Sequence, residues 1–460
     1  MSMQTRQWTH PSVLNLLSEN NSADPVLAIK QAATDLVSRA FDSGWQGPPF
    51  SPIKLAELEG IDILPNDATL EARTIPIGKN KFRIEYNPGV RPSRINFSIA
   101  HEIAHTLFSD CAESVRHRMP EKDPYSWELE FLCDIAAAEI LLPYGVFALD
   151  AKAVLPSTQN LLALADKYNA SFEAVLLRYV EVVQRPCAIV VAAFDSGSAG
   201  KLRVIYSKSS YGFDRTIHNG YVVPHGSKAY ECVNPGWSSK GVEEWSAFNG
   251  LKCEMHCIGL PAIKHDPRLR VGCLLVPIDK KEIIQENAID CRSGDATMPQ
   301  GEGTKIIGQI VNNGAALGFG FGRAMAKNWP ESARALRKWK EDHATFRLGM
   351  SKLTNLTADI SVFQMLAQKG VTPNERSIGL KYAALRQCLS ELRKVASDQR
   401  ASVHIPRIGA GQAGGEWSII EGIITEELIN RGIIVSVYDL PGSRPRQKKS
   451  TAISLFEQSG

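Results

Sequence analysis

Residues 98–110 read SIAHEIAHTLFSD, and this stretch decides how the N-terminal part of the chain is interpreted. In an α-helix, positions i and i+4 lie on one face, one turn apart. His101 and His105 can therefore present two imidazole nitrogens to one Zn²⁺ ion. Glu102, beside the first histidine, is placed to take a proton from a water molecule at the metal and to return it to a leaving amine. The stretch predicts a hydrolytic zinc site.

A third metal ligand is expected from the next long helix, residues 127–143, which reads WELEFLCDIAAAEILLP. At 100° per residue Glu130 and Asp134 share one face, while Glu128 and Glu139 point to the opposite side. We expect Glu130 to bind the metal and Asp134 to orient one histidine through its second ring nitrogen. The alternative for Glu130, a solvated helix carboxylate, stays open.

H-E-x-x-H, followed by E-x-x-x-D and by Leu141-Leu142-Pro143, resembles the ImmA/IrrE-type metallopeptidases, relatives of the gluzincins. The resemblance covers about residues 27–180 and extends to the strand-rich module that follows. It implies a zinc peptidase that cleaves repressor or regulator proteins in stress and mobile-element responses. Members of this type can carry a sensor-like strand-rich module.

Two local features flank the predicted metal helix. Ser93 can cap its N-terminus, so we expect the helix to run from about Arg94 to Phe108. Residues 81–86, KFRIEY, alternate as a β-strand does, and we expect an edge strand with which an extended substrate could pair.

The chain of 460 residues is long enough for two or three domains, and its hydrophobic periodicity changes twice. From Cys187, β-type runs that include YGFDRTI are separated by Gly, Ser and Asn. From Lys305, strands alternate with helices, which suggests a largely parallel sheet. We therefore predict a multidomain α+β and α/β protein with a mainly helical zincin-like peptidase domain, a strand-rich middle module and a three-layer α/β/α domain. The expected boundaries are 1–26 for an N-terminal extension, 27–185 for the peptidase, 186–280 for the middle module, 284–443 for the α/β/α domain and 444–460 for a basic tail.

Two glycine-rich loops follow strands of the C-terminal domain, at residues 312–322 and 408–415. Glycines at strand-to-helix turns let backbone N–H groups approach phosphate closely, so the pair could hold a diphosphate. Neither loop is a Walker A motif. The alternative, that these glycines only make tight turns, stays open. The candidate phosphate-binding positions are Gly318, Gly320, Gly322, Gly409, Gly411 and Gly414.

This arrangement resembles a macrodomain, the ADP-ribose-binding fold, over about residues 286–442. The resemblance rests on the Gly-Asp-Ala-Thr run that begins at Gly294, on both loops, and on Val437-Tyr438-Asp439-Leu440. It implies that Asp295 contacts the adenine amino group and that Asn312 or Asn313 contacts the distal ribose. The most similar branch contains terminal ADP-ribose glycohydrolases and phosphatase-like relatives.

The sequence departs from the hydrolytic members of that branch, which use a lysine after the central strand and an aspartate in the second phosphate loop. The corresponding positions hold Gln368, with Lys369 beside it, and Ala413. A covalent lysine mechanism needs both an amine and a nearby acid. The departure favours binding or sensing, although Lys369, Glu416 and Asn313 leave catalysis open.

The expected cofactor is therefore Zn²⁺. The expected partners are a protein substrate and an ADP-ribose or NAD-derived ligand, or an ADP-ribosylated macromolecule. A net charge of +3 gives no argument for nucleic acid, and we expect no membrane partner. Nine scattered cysteines favour a reducing cytoplasm. Two competing readings are an ADP-ribosyl hydrolase with an accessory peptidase-like part, and a scaffold with both sites inactive.

Overall fold

The computed structural model describes residues 8–20, 22–79, 81–113, 116–117, 126–195, 200–213, 215–248, 250–263, 267–278, 289–370 and 379–439. Within these ranges it contains twelve α-helices and three β-sheets. The predicted fold class is confirmed: a mainly helical part is followed by an antiparallel module and an α/β/α domain. The basic tail at 444–460 lies outside the described residues.

The helical part is built around two crossing helices that carry the predicted metal site. Its helices often begin at a proline in the first turn, where the missing N–H is no loss. The helices are α1 (Pro11–Glu19), α2 (Pro25–Asp42), α3 (Pro52–Leu58), α4 (Pro92–His105), α5 (Ser126–Leu141), α6 (Tyr144–Lys152), α7 (Thr158–Tyr168) and α8 (Phe172–Val182). The strands are β1 (Asp62–Pro65), β2 (Ala72–Gly78), β3 (Lys81–Tyr86) and β4 (Arg116–His117).

The first sheet has the strand order β1-β3-β2-β4, so β3 lies inside the sheet. The expectation that KFRIEY forms an edge strand is therefore wrong, because β1 pairs with it in parallel and β2 pairs with it antiparallel. Among the described strands the edges are β1 and β4.

The ends of α4 also differ from expectation. Arg91 occupies the N-cap without a side-chain hydrogen bond and Pro92 begins the helix, so Ser93 lies inside it and is not the cap. The helix ends at His105, three residues before Phe108, where the backbone tightens into short turns.

Residues 11–19, assigned from the sequence to an extension, pack into the helical core. Val13 and Leu16 of α1 are buried in one cluster with Leu129 and Leu132 of α5. Helix α2 begins at Pro25 and packs along α5 in the same cluster. The N-terminal helix therefore supports the helix that carries Glu130.

The middle module is a five-stranded antiparallel sheet in the order β6-β5-β9-β8-β7. The run YGFDRTI was expected to be a strand, but its described residues form none. Gly212 turns the chain at φ 82°, and Phe213 and Ile217 insert into the core of the module. The strands are β5 (Ala188–Phe194), β6 (Leu202–Ser209), β7 (Ser238–Glu243), β8 (Cys253–Leu260) and β9 (Arg270–Pro277).

The C-terminal sheet has the order β10-β15-β14-β11-β13-β12, and every pair is parallel except β12 with β13. Its strands are β10 (Asp290–Ser293), β11 (Lys305–Asn312), β12 (Ser351–Asn355), β13 (Ile360–Gln368), β14 (Ser402–Pro406) and β15 (Val435–Asp439). Its helices are α9 (Gly320–Asn328), α10 (Pro330–Glu341), α11 (Tyr382–Gln399) and α12 (Trp417–Glu427). Adjacent residues of β11 show the three layers, because Ile306 packs on the α11 and α12 side and Ile307 packs against Met325 of α9.

The helical part and the C-terminal domain are in direct contact. Helix α6 crosses α12 where Gly145 meets Gly422, and a methyl group at either glycine would overlap the backbone of the other. Among the described residues no single helix is long and apolar enough to cross a membrane. The bent pair Trp127–Leu141 and Tyr144–Lys152, at 63°, could do so by length and composition alone.

Candidate metal centre and phosphate-binding loops

The two histidines of α4 converge on one carboxylate of α5. His101 and His105 are buried, and their rings lie 5.0 Å apart, edge to face. Glu130 Oε2 lies 3.1 Å from His101 Nε2, and Oε1 lies 3.5 Å from His105 Nε2. Three potential ligand groups thus surround one point between the helices. The residues chosen from the sequence are brought together here.

Asp134 lies on the far side of His101, as expected from its spacing to Glu130. Its Oδ1 is 2.8 Å from His101 Nδ1, so Nε2 is left to face Glu130. Burial lowers the pKa of His101, but the hydrogen bonds with Asp134 and Glu130 raise it further, to about 9. The surrounding carboxylates favour a positive charge at this point, which a divalent cation could supply in place of the proton.

Glu102 is buried at the same centre, and a hydroxyl group holds it. Thr74 Oγ1 lies 2.8 Å from Glu102 Oε2 and 3.1 Å from the Glu102 carbonyl oxygen. Thr74 belongs to β2 and is itself fully buried. The sequence does not indicate Thr74, because no local pattern links this strand to a helix 28 residues later.

Cys133 is a second residue that the sequence analysis missed. Its Sγ lies 3.3 Å from His105 Nδ1, and both side chains are buried. The signal was available in the helix spacing, since Cys133 lies three residues after Glu130. A cysteine in an alanine-rich helix is most simply interpreted as a small hydrophobic residue of the core.

The other two acids of α5 point elsewhere and have structural partners. Glu128 accepts hydrogen bonds from the backbone N–H groups of Thr9 and His10, each at 2.9 Å. Glu139 forms a buried ion pair with Arg178. Neither carboxylate is directed at the histidines.

Two imidazoles and one carboxylate form a ligand set that suits a divalent metal with an open coordination position. These residues fit a metal ion because the Nε2 atoms of His101 and His105 both converge on the Glu130 carboxylate. The outer nitrogens are engaged by Asp134 and Cys133, which leaves the inner nitrogens to bind metal.

In the first glycine-rich loop the two asparagines have different surroundings. Asn312 is buried, and its Oδ1 accepts hydrogen bonds from the N–H groups of Gly314 at 3.0 Å and Ala316 at 3.1 Å. Asn313 is exposed, and its Oδ1 accepts from Gly370 N–H at 2.8 Å. Asn312 therefore shapes the loop, and Asn313 lies at the surface where a ribose could reach it.

The glycines of the two loops divide by the space around them. A side chain at Gly409 or Gly415 would collide with Leu380, so these residues permit close packing. Nothing lies within 4 Å of a methyl group placed at Gly318, Gly320 or Gly411. The open space beside those three positions is where an anionic ligand could approach the backbone.

The remaining candidate glycines have local roles. Gly414 adopts positive φ, as Gly320 also does, and Gly322 packs near Leu317.

Asp295 follows β10, and the positions that depart from the hydrolytic pattern lie at the end of β13 and in the second glycine-rich loop. Asp295 is partly buried, and its Oδ1 accepts a hydrogen bond from Thr297 N–H at 2.9 Å. The Gln368 amide donates to the Gly370 carbonyl oxygen, and Lys369 is exposed. Ala413 is buried in the second loop. No acid stands at the Ala413 position to assist an amine.

Residues 56–179 match the family described as the IrrE N-terminal-like domain. The radiation response metalloprotease IrrE of Deinococcus deserti is 30% identical over 147 residues, which is 30% of this chain and 52% of that protein. A macrodomain protein from Streptomyces coelicolor is 36% identical and covers 33% of this chain and 99% of its own, with a TM-score of 0.30. The chain carries an IrrE-like peptidase domain and a macrodomain. Both resemblances drawn from the sequence are confirmed.

The mouse chromodomain-helicase-DNA-binding protein 1-like is 27% identical over 180 residues. The chain spans 20% of the length of the mouse protein and about half of the length of the Deinococcus deserti metalloprotease. Residues 56–179 are therefore similar to a domain of the IrrE metalloproteases.

Proposed function

We propose that the protein is a zinc-dependent endopeptidase that acts on a regulatory or cellular protein. In this proposal an ADP-ribose-type ligand bound to the macrodomain controls or targets the cleavage. The observation that carries the peptidase part is the convergence of His101 Nε2 and His105 Nε2 on the Glu130 carboxylate. We further propose a cytoplasmic role in stress response or phage defence.

In this proposal His101, His105 and Glu130 hold the metal. A Zn²⁺ ion held there would supply Lewis-acid chemistry, lowering the pKa of water and polarising a carbonyl group. Glu102 accepts the proton from the attacking water and delivers it to the leaving amine. The Thr74 hydroxyl keeps the Glu102 carboxylate in one orientation, because it bonds both the side chain and the backbone of that residue.

The substrate in this proposal binds as an extended segment along β4. That strand pairs with β2 at Arg73 and Thr74, and it is the edge of the sheet on the side of the metal site. Thr74 contacts Glu102, so a segment added beyond β4 lies two strands from the catalytic base. This replaces the role first expected for KFRIEY.

The macrodomain in this proposal binds ADP-ribose or a derivative, free or attached to a macromolecule. Support comes from the two glycine-rich loops, which follow the parallel neighbouring strands β11 and β14 and hold the open positions Gly318, Gly320 and Gly411. The alternative function is ADP-ribosyl hydrolysis. Gln368 and Ala413 stand where that chemistry needs an amine and an acid, so the proposal favours binding.

One experiment tests the proposal as a whole. Metal content is measured on the purified protein, and cellular proteins are searched by mass spectrometry for cleavage that requires Glu102, with and without ADP-ribose. Zinc at one equivalent and a Glu102-dependent cleavage are the expected results. Release of ADP-ribose from modified protein or DNA, without proteolysis, would favour the alternative.

A further inference from the structure

We propose that Cys133 is a positioning residue of the metal centre. Its sulfur lies 3.3 Å from His105 Nδ1, and in this proposal the sulfur accepts a hydrogen bond from the N–H of that ring. The proton is thereby kept on Nδ1, and the Nε2 lone pair is directed at the point that His101 and Glu130 share. This inference rests on the proposed function and names a residue that neither the family motif nor the H-E-x-x-H pattern contains.

The geometry explains why a buried thiol is found at this position. Cys133 and Asp134 are consecutive residues of α5, one turn beyond Glu130. Helix α5 thus supplies one metal ligand and both groups that orient the histidines of α4. The two orienting groups differ in strength, because a carboxylate is a strong acceptor and a thiol is a weak one.

The test is the zinc affinity of the full-length protein, measured by competition with a chromophoric chelator. Cys133→Ala removes the acceptor and is expected to weaken zinc binding by roughly 10–100-fold. Cys133→Ser restores an acceptor and is expected to recover most of that loss. Cys388→Ala is the matched control, because Cys388 is a buried thiol of α11 in the macrodomain.

A second readout follows the ligand geometry directly. The absorption spectrum of the Co²⁺-substituted protein should change in Cys133→Ala and return toward wild type in Cys133→Ser. Equal zinc affinity in wild type and Cys133→Ala overturns the proposal, and so does an equal loss in both variants, which would indicate packing alone. Failure of wild type to bind zinc would instead contradict the proposed function.

A separate set of contacts concerns the second glycine-rich loop. Leu380 N–H donates to the Ala413 carbonyl oxygen at 2.9 Å, and Glu416 N–H donates to Tyr382 Oη at 2.8 Å. The Leu380 side chain also lies directly beneath Gly409 and Gly415. Residues 380–382 therefore hold the C-terminal end of the loop by hydrogen bonds, and the Leu380 side chain packs against both Gly409 and Gly415.

The same segment is fixed by the peptidase domain. Asp42, the last residue of α2, accepts hydrogen bonds from Tyr382 N–H at 2.7 Å and Ala383 N–H at 3.4 Å. These N–H groups belong to the first turn of α11, whose own N-cap residue, Lys381, makes no side-chain bond. Phe41 packs edge to face on the Tyr382 ring at 6.3 Å. A carboxylate of one domain thus caps a helix of the other.

We infer that Asp42 and Tyr382 position the second glycine-rich loop for the diphosphate of the ligand. Ligand affinity in the macrodomain then depends on the peptidase helix α2. Because α2 packs along α5, which carries Glu130, the two sites share one set of packed helices. This inference also rests on the proposed function and specifies its regulation.

The test is calorimetry of the full chain with ADP-ribose. Tyr382→Phe removes one hydroxyl group and should weaken binding by roughly 3–10-fold, as the loss of one hydrogen bond does. Asp42→Ala, in the peptidase domain, should weaken it comparably, and the double variant should lose less than the product of the two single effects. Asp42→Asn keeps the shape of the side chain, and its ADP-ribose affinity is measured if the alanine variant is poorly folded. Gln31→Ala, at an exposed position of α2, is the control.

Unchanged ADP-ribose affinity in Asp42→Ala and in Asp42→Asn overturns the inference. So does full multiplicativity in the double variant, because the two residues would then act independently. If the wild-type protein binds no ADP-ribose compound, that result contradicts the proposed function. It does not test whether Asp42 and Tyr382 position the loop.

Discussion

Glu139 and Arg178, 39 residues apart in sequence, form an ion pair in the interior, with Arg178 Nη1 2.8 Å from Glu139 Oε1. The arginine is 3% exposed and also donates to the Leu142 carbonyl oxygen. Glu139 lies on the same helix as Glu130, so α5 presents one acid to the two histidines of α4 and another to the core. The two acids should therefore respond differently to substitution.

Glu139→Ala is expected to lower the free energy of unfolding by about 3 kcal/mol, because it removes one of the two carboxylates, Glu139 and Glu181, that pair with the buried Arg178 guanidinium group. Zinc content per folded molecule should stay at the wild-type value. Chemical denaturation followed by circular dichroism measures the first quantity, and metal analysis of the folded fraction measures the second. A stable variant that has lost zinc would show that Glu139 is a ligand.

Glu130→Ala is expected to have the opposite profile. The carboxylate is partly exposed and faces the two histidines, so its removal should lower zinc content while stability without metal changes little. Glu130→Gln is the shape-preserving companion, and it should also bind zinc weakly. Full metal occupancy in both variants would mean that another group completes the site.

Glu102→Gln should retain zinc and the fold and should lose cleavage by roughly 10²–10⁴-fold, because an amide cannot shuttle the proton. Thr74 can still donate to the amide oxygen, so the side chain should keep its orientation. The measurement is single-turnover cleavage of the substrate identified by mass spectrometry. Near wild-type cleavage would remove Glu102 from the mechanism.

Gly411→Leu is expected to block ligand binding without unfolding the macrodomain. Open space surrounds this position, and its φ is not in the left-handed region, so a side chain fits and occupies the ligand side of the loop. Gly409→Leu is the contrasting variant, since its side chain would strike Leu380 and should lower the melting temperature. Calorimetry with ADP-ribose and thermal unfolding separate the two effects. Unweakened binding in Gly411→Leu would place the phosphates elsewhere.

The macrodomain should lose stability in mild acid through His404. This side chain is buried between Ser402 and Tyr438, with Nε2 2.8 Å from Ser402 Oγ and Nδ1 2.9 Å from Tyr438 Oη. Burial, with Arg292 and Lys305 nearby, lowers its pKa to about 4. The unfolded value is near 6.5, so between pH 6.5 and 4 only the unfolded chain takes up the proton.

The His404 contribution to stability is therefore complete above pH 6.5 and is lost as pH falls toward 4. Thermal unfolding midpoints at several pH values measure this loss, and His404→Gln should flatten the profile in that window. An unchanged pH profile in His404→Gln would assign the acid sensitivity to other groups.

The metal centre could be predicted largely from sequence, because i, i+4 spacing on a helix fixes which side chains share a face. His101, His105, Glu130 and Asp134 all follow from that rule, and the structure brings them together. Thr74 could not be predicted in this way, because strand pairing and strand-to-helix packing are non-local. The same cause explains the error over KFRIEY: its two partner strands come from separate segments, and β2 has no clear alternation.

In the macrodomain, the sequence predicted two loops at strand ends but not the role of each residue in them. Asn312 and Asn313 are adjacent and chemically identical, and only packing separates the buried residue that shapes the loop from the exposed one. Likewise Gly409 and Gly411 differ in what lies beside them and in backbone conformation, because φ is positive at Gly409 alone of the two. A pattern of residue types carries no information on which backbone positions are enclosed.

The crossing of α6 and α12 at Gly145 and Gly422 has a mechanical consequence. Helix α6 follows α5 directly, and α12 begins where the second glycine-rich loop ends. The crossing therefore lies between the helix that carries Glu130 on one side and the second glycine-rich loop on the other. Because the backbones of Gly145 and Gly422 touch, separating α6 from α12 would expose apolar surface. A rotation of one helix about this contact would not separate them. A change in the crossing angle of α6 and α12 at this contact would therefore move α5 and the second glycine-rich loop relative to one another.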